Sequence, residues 1–338
     1  MKNKYFNDAI IGNGKMLASF DKNGQMLRLF YPNIDYKQHI DFFHTGVTIN
    51  KSDTIWLHKD VNNDYKQYYT EDTNIINTEI FNKYFNLKIK QTDFVTIEED
   101  MLVKKYTFLN ESVNDLEINF IIYSKLNSDV NNYVSGYFKD NSLMQYTHDN
   151  VLYISSKKQV SSFSINDSKG NVERGEVSGK DYIGMSSDSS ISYDIGIIKP
   201  GEQKEIIIYI HLKEMDIKKV NPEVELEKTK KYWIKYLYDH KNIILNENNL
   251  KVEQIYKRSI LLFPLLTNKE TGGIEAAVEV DENMHKCGRY SYCWPRDAVF
   301  ITRALDACDM GDLSSKFYKE FCKNTQSKNG RMGAKILY

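Results

Sequence analysis

The chain has 338 residues, which at roughly 150 residues per domain points to two domains, or to one and part of another. Lys and Arg number 45 against 46 Asp and Glu, and the formal charge of −1 argues against a broad basic face for nucleic acid. Hydrophobic residues make up 41% and charged residues 27%, so most of the chain should pack into cores, and no apolar run approaches the ~18 residues of a membrane span.

At the N-terminus, MKNKYFNDAIIGNGK has basic residues but no apolar segment behind them, so no signal peptide and a cytoplasmic location are expected. The pattern then reads as strands up to about residue 222. Lys15–Phe20 and Gln25–Phe30 flank Asp21-Lys22-Asn23-Gly24, a hairpin with Gly where the turn needs positive φ. Met101–Leu109 and Asp115–Leu126 flank Asn110-Glu111-Ser112. Ser142–His148 and Val151–Ser156 sit either side of Asp149-Asn150. Ile191–Ile198 meets Pro200-Gly201 before Glu205–Leu212. Many β-branched and aromatic strands with turn signals about every ten residues predict a large antiparallel β-sandwich over 1–220. The 24 Tyr and 16 Phe suit such strands, and also surfaces that stack on sugars or partners.

From Pro222 the period becomes helical. Pro222 with Glu223 and Glu225 makes a helix entry, and Tyr232, Trp233, Tyr236 and Leu237 share a face of a helix over 223–240. A helical linker over 221–249 follows from this. Asn248-Asn249 should cap a second helix, Leu250–Leu266, which Pro264 kinks or stops early. Thr271-Gly272-Gly273 breaks the chain. A third helix follows Asp297, with Ala298, Ile301, Leu305 and Cys308 at helical spacing, and a fourth spans Leu313–Lys323. The four cysteines, Cys287, Cys293, Cys308 and Cys322, have no metal-finger spacing and read as free, mostly buried thiols. His285, Cys287 and Cys293 lack a fourth metal ligand, and Asp281-Glu282 reads as a solvated loop. No metal or cofactor is expected.

The densest cluster of chemistry is Tyr290-Ser291-Tyr292-Cys293-Trp294-Pro295-Arg296-Asp297. Tyr290, Tyr292 and Trp294 alternate, so in extended chain they point to one side. Aromatic faces stack on pyranose rings, and a fixed Arg–Asp pair supplies five donors and two acceptor oxygens to a polyhydroxylated ligand. The same residues also suit a purely structural role: an aromatic core strand, Asp297 as a helix N-cap, and Arg296 as its ion-pair partner.

This segment resembles the signature of the family 15 glycoside hydrolases, the glucoamylase-related enzymes. Arg258–Ala277 (RSILLFPLLTNKETGGIEAA) resembles that family's first barrel helix and the loop behind it, and Tyr5–Ile40 resembles the start of the prokaryotic members' N-terminal sandwich. The resemblance covers residues 5 to about 330. It implies a β-sandwich, a helical linker, and over 250–338 the first helices of an incomplete (α/α)6 barrel. It also implies an inverting hydrolase releasing glucose from the α-glucosidic ends of starch-, glycogen- or maltooligosaccharide-like chains. The alternatives are a trehalose or isomaltose hydrolase of the same family, and a non-catalytic fragment that binds glucan or a partner. By resemblance Arg296 and Asp297 hydrogen-bond the terminal glucose, Trp294 and Tyr290 shape its pocket, and Tyr292 joins them as a substrate-binding residue.

The family's general acid and base are glutamates well downstream of this segment, so neither is expected within residue 338, and the 338 residues alone are expected to be inactive. After Asn329-Gly330 the stretch Arg331–Tyr338 leaves the family pattern, which typically runs Arg-Trp-Glu-Gln-Arg-Phe-Tyr. Dropping one base before the Met332 codon restores a frame compatible with that pattern, so a single-base insertion near codons 331–332 is expected.

Overall fold

The computed structural model describes residues 6–32, 34, 38–127, 135–148, 150–165, 169–179, 183–185, 188–240, 249–279 and 292–333. Asp149, Asp281-Glu282, His285, Cys287, Tyr290 and residues 334–338 of the divergent tail lie outside the described residues.

Three short strands come first: β1 (Ala9–Gly12), β2 (Leu17–Phe20) and β3 (Met26–Phe30). They form a separate meander. In the turn between β2 and β3, Gly24 has φ +84° and Asp21 accepts the backbone N–H of Asn23 at 2.9 Å, as the hairpin signal predicts. Next come β4 (Ile40–Ile49), β5 (Ile55–Trp56), β6 (Asn63–Tyr69), β7 (Ile76–Asn82), β8 (Leu87–Val95) and β9 (Met101–Asn110). They are followed by β10 (Leu116–Leu126), β11 (Ser135–Lys139), β12 (Ser142–Tyr146), β13 (Val151–Ser155) and β14 (Ser162–Ile165). A five-residue helix, α1 (Lys169–Glu173), precedes β15 (Ile183–Gly184), β16 (Ser189–Ile198) and β17 (Gln203–His211).

These strands make two antiparallel sheets. One has the order β14-β16-β10-β4-β5, the other β15-β11-β12-β13-β17-β9-β8-β7-β6. Alternation along β10 explains the layering. Ile118, Phe120 and Ile122 enter the core shared by both sheets, while Ile121 and Tyr123 join an outer cluster beneath Val172 and Val177. Across the core Phe120 meets Tyr106 of β9, ring centroids 4.7 Å apart.

The meander is buried on both faces. Ile11, Ala18 and Phe20 belong to the sandwich core, whereas Ile10, Leu17 and Phe30 belong to the core of the helical region. A strand's two faces thus serve two cores, and the meander binds them together.

Helix α2 (Pro222–His240) starts where expected, and the Asn221 side chain accepts from the N–H groups of Glu223 and Val224 at 3.1 and 3.2 Å. Trp233 and Leu237 are buried on its inner face. Helix α3 (Leu250–Leu262) is capped by Asn249 and ends four residues short of the expected Leu266, because Pro264 can neither donate nor clear the preceding turn. Helix α4 (Pro295–Ala307) begins two residues before Asp297, with proline at the first helical position and Trp294 still extended. Asp297 therefore lies inside the first turn and is not the N-cap. The expected fourth helix divides into α5 (Gly311–Lys316) and a wider, π-type turn over Phe317–Cys322 that buries Phe317 and Phe321. Cys293 and Cys308 are buried free thiols, and Cys322 is partly buried. No helix among the described residues is long and apolar enough to cross a membrane, and no described cluster of His, Cys, Asp or Glu could hold a metal ion.

Candidate functional site

The loop after α3 is built by its own hydrogen bonds. Asn268 is buried, and its side-chain oxygen accepts from the N–H groups of Glu270 and Thr271 at 2.9 and 3.0 Å. Gly272 holds φ +77°, and a Cβ there would lie 2.9 Å from the Lys316 carbonyl carbon, so only glycine fits. The loop rests on the β1–β2 turn, where Lys269 N–H donates to the Gly14 carbonyl at 3.0 Å and Lys15 pairs with Glu270 at 2.6 Å. It then runs back as an extended segment, with Ile274 buried.

That returning segment pairs with the aromatic cluster. Glu275 and Cys293 form an antiparallel bridge, and Ala276 N–H donates to the Tyr292 carbonyl at 3.3 Å. The Gly-Gly-Ile-Glu-Ala loop and the Trp-Pro-Arg-Asp segment, separate in sequence, are thus one piece of structure. Cys293 faces inward and is buried, while Tyr292 and Trp294 on either side are half-buried, as alternation requires. Tyr290, the third aromatic of the series, lies outside the described residues.

Arg296 and Asp297 differ from the expected fixed pair. Their charged groups approach only to 3.6 Å, and the Arg296 side chain is 81% exposed. A pair so open contributes little to stability. The Asp297 carboxylate sits in the first turn of α4, where the helix dipole favours negative charge. Both groups can therefore donate to, or accept from, a ligand lying against the start of α4.

Residue types alone do not single out Glu275, which is 2% exposed and backs directly onto Cys293. The available signal was a carboxylate inside the apolar run Gly-Ile-Glu-Ala-Ala-Val. A cavity of about 540 Å³ lies beside the loop, between α2 and α5, and contains none of residues 292–297.

No family model matches the chain. An uncharacterized glycosyl hydrolase of Methanocaldococcus jannaschii is 26% identical over 95% of this chain and 54% of that protein. A bacterial glucoamylase solved in complex with acarbose superposes with a TM-score of 0.77 at 16% identity, over 98% of this chain and 52% of that one. A putative kojibiose phosphorylase from the human microbiome superposes with a TM-score of 0.58 at 11% identity, over 79% of this chain and 40% of that one. The fold is therefore glycoside-hydrolase-like, a β-sandwich joined to helices as in the glucoamylase structure. The chain spans about half the length of the relatives it matches.

Proposed function

We propose that these residues belong to a glucoamylase-type glycosidase of family 15. In this reading 1–220 is the sandwich domain, 221–249 the linker, and 250–338 the opening helices of an (α/α)6 barrel. The observation that carries the reading is the bridge at Glu275 and Cys293, because it joins the segment that resembles the family's glucose subsite to the one that resembles the loop behind its first barrel helix. Arg296 and Asp297 then supply donors and acceptors to the hydroxyls of the non-reducing-end glucose. Trp294 and Tyr292, with Tyr290, offer ring faces to the pyranose.

The chemistry divides between these groups and two glutamates in the half of the relatives' length that this chain does not span. Inversion needs one carboxylic acid to protonate the leaving oxygen and one carboxylate to activate water on the opposite face, the two ~6.5–9.5 Å apart. Residues 1–338 hold the sugar in this scheme and do not turn it over. The test is glucose release from maltotriose, trehalose and isomaltose by a protein extended through the downstream reading frame. Release from maltotriose, reduced by Arg296→Ala, supports the glucoamylase reading. Release from trehalose or isomaltose alone favours the other family members, and no release from any of the three defeats it. The openness of the Arg296–Asp297 pair favours a second reading for these residues by themselves, namely glucan binding without catalysis.

A further inference from the structure

We propose that the outer face of the nine-stranded sheet carries a second carbohydrate site, a shallow groove that binds a neutral glucan chain away from the start of α4. Register makes it. Tyr137 of β11 stands opposite Met144 of β12, Met144 opposite Tyr153 of β13, and Tyr153 opposite His211 of β17. Their neighbours Leu143, Leu152, Ile154 and Ile210 fill the core, so alternation sets all four on the outer face in one row, with Tyr137, Met144 and Tyr153 part-exposed and His211 covered, 2% exposed. With strands ~4.8 Å apart, the two tyrosines lie about 10 Å from each other along that row.

The row is a fixed platform. Tyr153 and His211 stack with centroids 4.9 Å apart and planes 1° from parallel. The His211 Nδ1–H donates to the Lys213 carbonyl at 2.8 Å, and Nε2 lies 3.1 Å from the Ser155 hydroxyl oxygen. Burial lowers the imidazole pKa and keeps this neutral tautomer. Met215 and Ile217 wall one side, where the chain crosses the sheet towards α2. The groove measures about 810 Å³.

Charge selects the ligand class. The groove is lined by Lys139, Lys157 and Lys218 and equally by Asp140, Glu214 and Asp216. A polyanion such as nucleic acid or an acidic lipid would meet as many carboxylates as ammonium groups. A neutral polyhydroxylated chain uses both, with its pyranose faces on the tyrosine rings. The choice of a glucan over other neutral polysaccharides rests on the function proposed above.

Affinity electrophoresis of the 338-residue chain through gels containing amylopectin tests this. The wild-type chain should be retarded, and Tyr137→Ala/Tyr153→Ala should weaken the apparent Kd about tenfold, as expected for two lost ring contacts. Tyr153→Phe should keep most of the retardation. A second measurement needs no tyrosine variant. The Met144 methyl resonance, assigned by Met144→Leu, should move when maltoheptaose is added. An unretarded wild-type chain, or a Met144 signal that stays in place, overturns the proposal. Retardation abolished by Arg296→Ala but kept by the double variant also overturns it, and leaves the site at α4 standing. If the groove binds while the extended protein releases no glucose, the proposed function fails and the groove remains.

Discussion

The sandwich and the helical region bury their apolar residues differently. In the sandwich the five- and nine-stranded sheets cover one another, and exposed apolar residues such as Val61 and Val113 at turns lie outside that shared core. The helices cover only one side. Leu250 and Ile255 of α3 and Phe300 of α4 are each about two-thirds exposed or more, and the buried side of these helices depends on Ile10, Leu17 and Phe30 from the meander. The sandwich core is closed by long-range pairing, whereas the helical core draws Ile10, Leu17 and Phe30 from another region's strands. Changes inside the sandwich should therefore cost most, changes at the seam less, and changes on the open helical face least.

The largest effect should come from the sandwich interior. Asp93 and Lys104 stand opposite one another on β8 and β9, 2.8 Å apart and both fully buried, and Gln91 donates to the second carboxylate oxygen. Burial pushes the carboxyl up and the ammonium down, each opposed by its partner. Lys104→Met alone leaves a buried carboxylate and should cost about 3–5 kcal/mol in a urea melt. Asp93→Leu/Lys104→Met should recover most of that loss. A double variant no better than the single would show that the ion pair is not what the site needs.

Next is a pH effect on the sandwich's outer face. His44 and His58 pack with ring centroids 4.7 Å apart, and burial lowers their pKa values to about 4 and about 3. The folded state thus keeps both rings neutral where the unfolded chain, titrating near 6.5, takes up protons. Stability should be flat above pH 7 and fall between pH 6.5 and 4, by up to ~1.4 kcal/mol per pH unit for each histidine. His44→Phe/His58→Phe should flatten that slope. Equal slopes in the variant and the wild type would assign the acid sensitivity to other groups.

What the sequence showed and what it hid follow the same division. Local signals were legible. Asp21-Lys22-Asn23-Gly24 marked its hairpin, Asn249 its cap, and Pro264 the end of α3. The Trp-Pro-Arg-Asp segment could be found as a candidate site, but its helix starts at Pro295, because a proline preset for the first helical turn outweighed the capping preference of Asp297. Non-local arrangements were not legible. Nothing in residues 9–30 says that alternate side chains serve two different cores. The row Tyr137, Met144, Tyr153 and His211 exists only through the register of four strands that span more than seventy residues of sequence.

The seam gives a middle effect. The Arg258 guanidinium lies 4.0 Å over the Tyr69 ring, donates to the Thr73 carbonyl at 2.9 Å, and bonds the Asn74 side chain, which itself donates to the Leu261 carbonyl at 3.0 Å. Tyr69 in turn bonds both backbone groups of Ile10 in the meander. Arg258→Ala should cost about 2 kcal/mol through the lost charged hydrogen bonds and ring contact. The loss should fall on the helices, so hydrogen exchange should rise across α3 and α4 while β8, β9 and β17 stay protected. A uniform rise would mean that the two regions unfold as one unit.

The smallest effect on stability should be at Arg296. Its guanidinium is 81% exposed, reaches Asp297 only at 3.6 Å, and lies outside the helical core. Exposed pairs of this geometry contribute little. Arg296→Ala should therefore leave the melting temperature within about 1 °C of wild type. Asp297→Asn removes a charge from the first turn of α4, where it complements the helix dipole, and should cost at most ~1 kcal/mol. Function should reverse that order. If these side chains hold the terminal glucose, each substitution should lower kcat/KM for maltotriose in the extended protein by at least about a hundredfold, since charged hydrogen bonds to the substrate are lost. A residue that costs little to fold and much to turn over is placed there for its ligand. A residue whose loss lowers the melting temperature and the activity in proportion is placed there for the fold.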